Sequence, residues 1–138
     1  MIGLLIATHG RLALELLDAA EHIVRKPGVM KALVLDWDQD SAACLEAMRQ
    51  ALREIDQGDG VIIATDMLGG TPANVAMTLL EPGRVEVVTG VNLPMIVKFN
   101  NLRGEQTIEQ AAQVLAAKGR WHITVAGEVL AGRGEAPV

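Results

Sequence analysis

Four short runs of this chain are apolar almost without interruption, and the residues between them repeat their apolar side chains every three or four positions. The runs are Ile2 to Ala7, Lys31 to Trp37 (Ala32-Leu33-Val34-Leu35), Gly60 to Thr65 (Val61-Ile62-Ile63-Ala64) and Arg84 to Thr89 (Val85, Val87, Val88). A strand that is apolar on both faces must be covered on both, which is the situation inside a parallel sheet flanked by helices. The alternation predicts an α/β fold: a doubly wound, flavodoxin-like, mostly parallel sheet with helices on both faces.

The intervening segments carry helix signals. Leu12, Leu16, Ala19, Ala20 and Ile23 share one helical face, and Lys26-Pro27-Gly28 marks where that helix stops. Leu45, Met48, Leu52 and Ile55 form a second stripe, with Asp40 or Ser41 as N-cap and Gly58 as terminator. Thr71-Pro72 predicts a third start, with threonine as N-cap and proline at the first helical position, and an end before Pro82-Gly83. Pro94 opens a short fourth helix through Phe99, and Thr107 with Gln110 makes a capping box for a last one, stopped by Gly119. Trp121 to Ala126 then alternates in residue type and reads as a final antiparallel edge strand, which must be covered or exchanged with a partner. Residues 1–130 form one domain, and Ala131 to Val138 is expected to be a flexible tail.

Composition removes several functions. With 12 basic against 17 acidic residues the net charge is -5, which opposes binding to nucleic acid. Two Trp, one Phe and no Tyr leave nothing to build a base-stacking surface. A single cysteine, Cys44, excludes an internal disulfide and fits a reducing, cytoplasmic setting. The first apolar run lacks a basic flank and a small-residue cleavage site, and no run approaches the roughly 20 residues of a membrane span.

The chemistry gathers at the carboxyl ends of the strands, where an open α/β sheet forms its crevice. His9 closes the first run, flanked by Thr8 and by Gly10, whose freedom permits a tight turn and close approach. Asp66 closes the third run, and first and third strands are commonly neighbours in this kind of sheet. A carboxylate accepting from one imidazole nitrogen fixes the tautomer and frees the other nitrogen as a nucleophile. A lone histidine at a strand end is more often a structural residue, and a lone aspartate there a solvated one. The turn Asp66-Met67-Leu68-Gly69-Gly70-Thr71-Pro72-Ala73-Asn74 shifts the balance, because Gly69 and Gly70 before a helix N-terminus let backbone N–H groups converge on an anion and Thr71 can add a hydroxyl. The spacing and the lysine of a nucleotide-binding P-loop are absent. Trp37, in Asp36-Trp37-Asp38 at the end of the second run, is read either as a docking anchor on the same rim or as a core residue. His22 and His122 have no ligand-type partners at metal spacing, so no metal is expected, and Cys44 falls beside an apolar stripe.

In Ala7-Thr8-His9-Gly10, Asp66 to Asn74 and Gly90-Val91-Asn92-Leu93-Pro94-Met95, in that order, the chain resembles the IIA domain of the mannose family of the bacterial phosphoenolpyruvate-dependent sugar phosphotransferase system, from Met1 to about Val129. The resemblance implies that His9 accepts a phosphoryl group from the phosphocarrier protein HPr and passes it to a IIB partner. It implies that Asp66 orients the ring, that groups around Gly10, Gly69, Gly70 and Thr71 hold the phosphate, and that Asn92 shapes the rim that partners meet, on which Thr8 and Trp37 are placed by their positions at the ends of the first and second runs. It further implies no cofactor, a homodimer exchanging its last strand, and contact with the membrane only through a permease complex. A stand-alone regulatory phosphoprotein, whose state at His9 controls a target's binding, is the alternative. A flavin or nucleotide binder of the same fold class lacks the usual flanking aromatic residues.

Overall fold

In the computed structural model, residues 1–102 and 104–134 are described. The elements run β1 (Gly3–His9), α1 (Leu12–Ile23), β2 (Met30–Leu35), α2 (Ser41–Ile55), β3 (Val61–Thr65), α3 (Thr71–Met77), β4 (Val85–Thr89), α4 (Leu93–Phe99), α5 (Ile108–Trp121) and α6 (Ala126–Leu130). The four strands form one parallel sheet in the order β2-β1-β3-β4. The first and third runs are therefore neighbours, as the sequence predicts, and Gly3 pairs with Val61 through to Ile6 with Ala64.

Alternate residues of the two central strands go to opposite layers. Leu4, Ile6, Ile62 and Ala64 pack with Ala13 and Ala20 of α1, Met95 and Ile96 of α4 and Leu115 of α5. Leu5, Ala7, Val61 and Ile63 pack with Met48 and Ala51 of α2 and Val75 and Ala76 of α3. These side chains are aliphatic or sulfur-bearing, as an almost aromatic-free sequence requires.

Local signals set the helix starts. The Asp40 side chain accepts from the Ala43 N–H at 2.8 Å, and Thr107 with Gln110 forms the full capping box. At α3 the cap lies one residue earlier than expected: Gly70 is the N-cap, Thr71 the first helical residue and Pro72 the second. Helix α1 has Arg11 as N-cap with no side-chain bond, and is capped from below, where the Thr8 hydroxyl accepts from the Ala13 N–H at 2.7 Å.

The expected final strand is not formed. Helix α5 runs through Gly119 to Trp121, and Trp121 to Ala126 pairs with no strand among the described residues. Gly119 does not end the helix, because its bare α-carbon is a packing notch: a Cβ there would stand 3.1 Å from Met95 Cε, and its carbonyl accepts from Asn92 Nδ2 at 3.0 Å. Beyond α6, the Arg133 N–H donates to the Glu128 carbonyl at 2.8 Å, so the start of the expected tail is a bonded turn, while 135–138 lie outside the described residues. No helix among the described residues is long and apolar enough to cross a membrane.

Candidate functional site

The parallel register brings three strand ends to one edge. His9 ends β1 beside Leu35, the last residue of β2, and Asp66 follows β3 directly. The Nδ1 of His9 lies 2.7 Å from Oδ2 of Asp66, and the backbone N–H of His9 donates to the same oxygen at 3.1 Å. Oδ1 of Asp66 accepts from the Met67 N–H at 3.1 Å. The carboxylate is thus anchored through both oxygens. Burial pushes the Asp66 carboxyl up, but hydrogen bonds from the His9 ring and backbone, together with the imidazole charge, outweigh it and hold the group below its ordinary value. An ionised carboxylate only accepts, so the neutral ring keeps its proton on Nδ1 and exposes the lone pair of Nε2.

The β3–α3 turn closes around that second nitrogen. A Cβ on Gly70 would lie 2.5 Å from Cε1 and 3.0 Å from Nε2 of His9, so only glycine lets the backbone pass this close to the ring. Its φ of -83° is ordinary, so the requirement at Gly70 is space. Gly69 is the reverse case, with a φ of +90° and nothing within 4 Å of a notional Cβ. The first helical N–H to find an acceptor within α3 is that of Asn74, on the Gly70 carbonyl, and those before it have no intrahelical partner. Proline at position 72 has no N–H, so the donors of this turn are those of the residues around it.

Trp37 completes the surroundings. It is 77% exposed and stacks on the imidazole, ring centroids 5.6 Å apart and planes 27° from parallel. Gly10, at φ +57°, is the seat for this ring, since a Cβ would stand 3.1 Å from Trp37 Cζ2. Met67 and Leu68 are exposed on the neighbouring turn.

Two residues assigned to the rim have other work. Thr8 is fully buried, and its hydroxyl caps α1, so it offers nothing to a partner. Asn92 caps α4, accepting from the Met95 N–H at 3.1 Å while its amide donates to Gly119. The polarity of Thr8 hides this role; only its placement on an inward-facing strand position reveals it. Sequence reasoning missed the Trp37 stack and the orphaned hydroxyl of Thr65, which is buried with no partner among the described residues. The first required the β1–β2 register, which no local pattern carries.

His22 is exposed at the far end of α1, bonded to the Asp18 carbonyl, and His122 follows α5. Among the described residues no group of three potential metal ligands is assembled. Cys44 is buried, and burial followed by the nearby Asp40 charge pushes its thiol up, away from reactivity. The His9 side chain is 29% exposed, and it does not line the depression of about 870 Å³ at the opposite edge of the sheet, whose lining includes Ile2, Asn100 and Thr107.

The family described as PTS system fructose IIA component, EIIA-man, matches residues 3–115. YadI of Escherichia coli K12, whose name places it among phosphotransferase enzyme IIA components, is 34% identical over 132 residues, covering 88% of each chain. The PTS system fructose-specific EIIA component of Bacillus subtilis 168 is 27% identical over 131 residues, covering 94% of this chain and 90% of the other. The crystal structure of the PTS IIA protein associated with the fucose utilization operon from Streptococcus pneumoniae superposes with a TM-score of 0.81 at 25% identity, over 94% of this chain and 96% of that one. A histidine hydrogen-bonded to a carboxylate at the edge of a parallel sheet thus sits in a chain that belongs to the EIIA-man family of phosphotransferase-system IIA components.

Proposed function

We propose that the protein is a cytoplasmic phosphocarrier in which Nε2 of His9 takes a phosphoryl group from phosphorylated HPr and passes it to a IIB protein or domain for sugar uptake, residues 1–130 forming the working domain. The observation that carries this is the 2.7 Å contact of Nδ1 with a carboxylate that also takes the His9 backbone N–H, because it leaves Nε2 as the nucleophile. As Nε2 bonds to phosphorus, the donor's phosphorus–nitrogen bond breaks and its electron pair returns to the donor ring. The proton stays on Nδ1, and Asp66 offsets the positive charge the ring acquires. Transfer to IIB repeats the exchange in the other direction.

Transfer between imidazoles needs alignment and anion stabilisation more than covalent help. The N–H groups about Gly10, Gly69, Gly70 and Thr71 supply the second without a metal or cofactor. A partly exposed His9 suits a protein partner, and Trp37, Met67 and Leu68 give the rim apolar ground to dock on. The working unit is a homodimer in which the last segment is exchanged between protomers, and the membrane is met only through a permease complex.

Incubation with phosphoenolpyruvate, enzyme I and HPr tests the reading. Intact mass is expected to show one acid-labile phosphate on the wild type and none on His9→Ala. A wild type that stays unphosphorylated, or an Ala variant that gains the label, defeats it.

A further inference from the structure

Imidazole reacts through the in-plane lone pair of Nε2, which leaves the ring face free for other contacts, and in this protein a large aromatic ring stacks on the imidazole. Trp37 is 77% exposed, its centroid is 5.6 Å from that of His9 and its plane is 27° from parallel. The arrangement is built in: Gly10 bends to φ +57° and carries no Cβ where one would press on Trp37 Cζ2 at 3.1 Å and Nε1 at 3.2 Å. Docking alone would ask only that Trp37 be apolar and exposed; it would not ask for a notch that lets the indole lie along the imidazole.

We infer that Trp37 is a positioning residue for phosphoryl transfer, whose indole face stabilises the cationic ring of phosphorylated His9. With the proton kept on Nδ1 by Asp66 and phosphorus bonded to Nε2, the imidazole carries a positive charge that the neutral ring does not. The negative face of an indole within about 6 Å attracts such a charge. Asp66 acts on the ring edge and Trp37 on its face, so the two effects are separable. The attraction rises as the bond to phosphorus forms, and so favours the phosphorylated state and the path to it over the free imidazole. At a partly exposed site an interaction of this kind corresponds to a roughly two- to fivefold change in a rate or equilibrium constant.

The inference rests on His9 being the phosphoryl acceptor, and its test uses two donors to keep the claims apart. Phosphoramidate, a small donor with no protein surface, delivers phosphate to histidine without docking. Wild type, Trp37→Phe and Trp37→Leu are compared, with His9→Ala as blank; leucine keeps the apolar bulk but has no π face. With phosphoramidate, Trp37→Leu is expected to react about two- to fivefold more slowly than wild type, and Trp37→Phe to recover most of the loss. In the same samples the His9 ring protons are expected upfield by the aromatic ring current in wild type and displaced toward ordinary histidine positions in Trp37→Leu. Equal phosphoramidate rates in wild type and Trp37→Leu overturn the inference, as does a wild type that phosphoramidate leaves unmodified. A raised KM for HPr in both variants, with unchanged phosphoramidate rates, assigns Trp37 to docking alone and also overturns it. If phosphoramidate modifies His9 but phosphorylated HPr does not, the phosphocarrier reading fails, while the Leu-to-Phe contrast still decides the role of Trp37.

Discussion

Asp66 Oδ2 receives two N–H groups from one residue, so a single oxygen sets both the orientation and the tautomer of His9. Asp66→Asn keeps the shape but lets the amide offer its NH₂ to Nδ1, which turns the lone pair inward. Phosphorylation of His9 is expected to slow by about 10²-fold, the scale of a misplaced reacting group; an unchanged rate in a quenched-flow assay would show that Asp66 does not orient the ring. The same variant has a signature in acid. The native carboxyl titrates below its unfolded value of about 3.9, so its contribution to stability is full above that pH and fades as pH falls through the lower native value. The gap in Tm between wild type and Asp66→Asn should therefore narrow on acidification. Gly70 and Gly69 make a complementary pair. Gly70→Ala drives a methyl into a ring already pinned by Asp66, so transfer should fall at least about tenfold, with an overpacking cost of about 1–3 kcal/mol. Gly69→Ala meets open space and costs about 1 kcal/mol through its backbone alone. Equal effects of the two on phosphorylation would refute the steric account of Gly70.

At the scale of elements, two threonines at the ends of adjacent strands look alike in sequence and differ in consequence. Both are fully buried, but Thr8 caps α1 through the Ala13 N–H whereas the Thr65 hydroxyl has no partner among the described residues. Thr8→Val should cost about 1–2 kcal/mol by urea denaturation, and Thr65→Val should be neutral or stabilising by up to about 1 kcal/mol. A comparable loss in both would mean that Thr65 has an acceptor or donor after all. Much of the element order was legible because it depends on local periodicity: the four apolar runs are the four strands, and the capping box at Thr107 and Gln110 is where the sequence puts it. His9 and Asp66 were legible because a parallel sheet converts position at a strand end into proximity. Gly119 and Thr8 were not. Their roles depend on which element lies opposite, Met95 and Asn92 for the first and the start of α1 for the second. Trp37 stood between a docking and a core reading for the same reason, since its neighbour His9 is fixed by strand pairing and not by sequence distance.

At the scale of the whole molecule, the last segment is where the sequence expects a strand and the single chain forms none. Strand β4 lies at the edge of the sheet, with backbone groups on its outer side facing no strand among the described residues. Past α5, Ile123, Val125 and Leu130 are 77%, 62% and 89% exposed, and α6 buries none of its residues. The alternation between Trp121 and Ala126 that suggests a strand is real, but a strand needs a ladder, and this chain does not fold the segment onto its own sheet. An apolar arm and an uncovered edge on the same molecule are each unfavourable in water and mutually satisfying between two copies. Exchange of the arm about a two-fold axis would cover both edges at once without leaving an open contact to propagate. The expected result is a dimer in sedimentation velocity at micromolar concentration, converted to a monomer by the double variant Ile123→Lys, Val125→Lys, which charges the arm without touching His9. If that variant stays monomeric yet still takes phosphate from HPr at the wild-type rate, dimerisation serves stability and the site is complete within one chain. A wild type that sediments as a monomer would remove the exchange altogether and leave the arm as a surface for another partner.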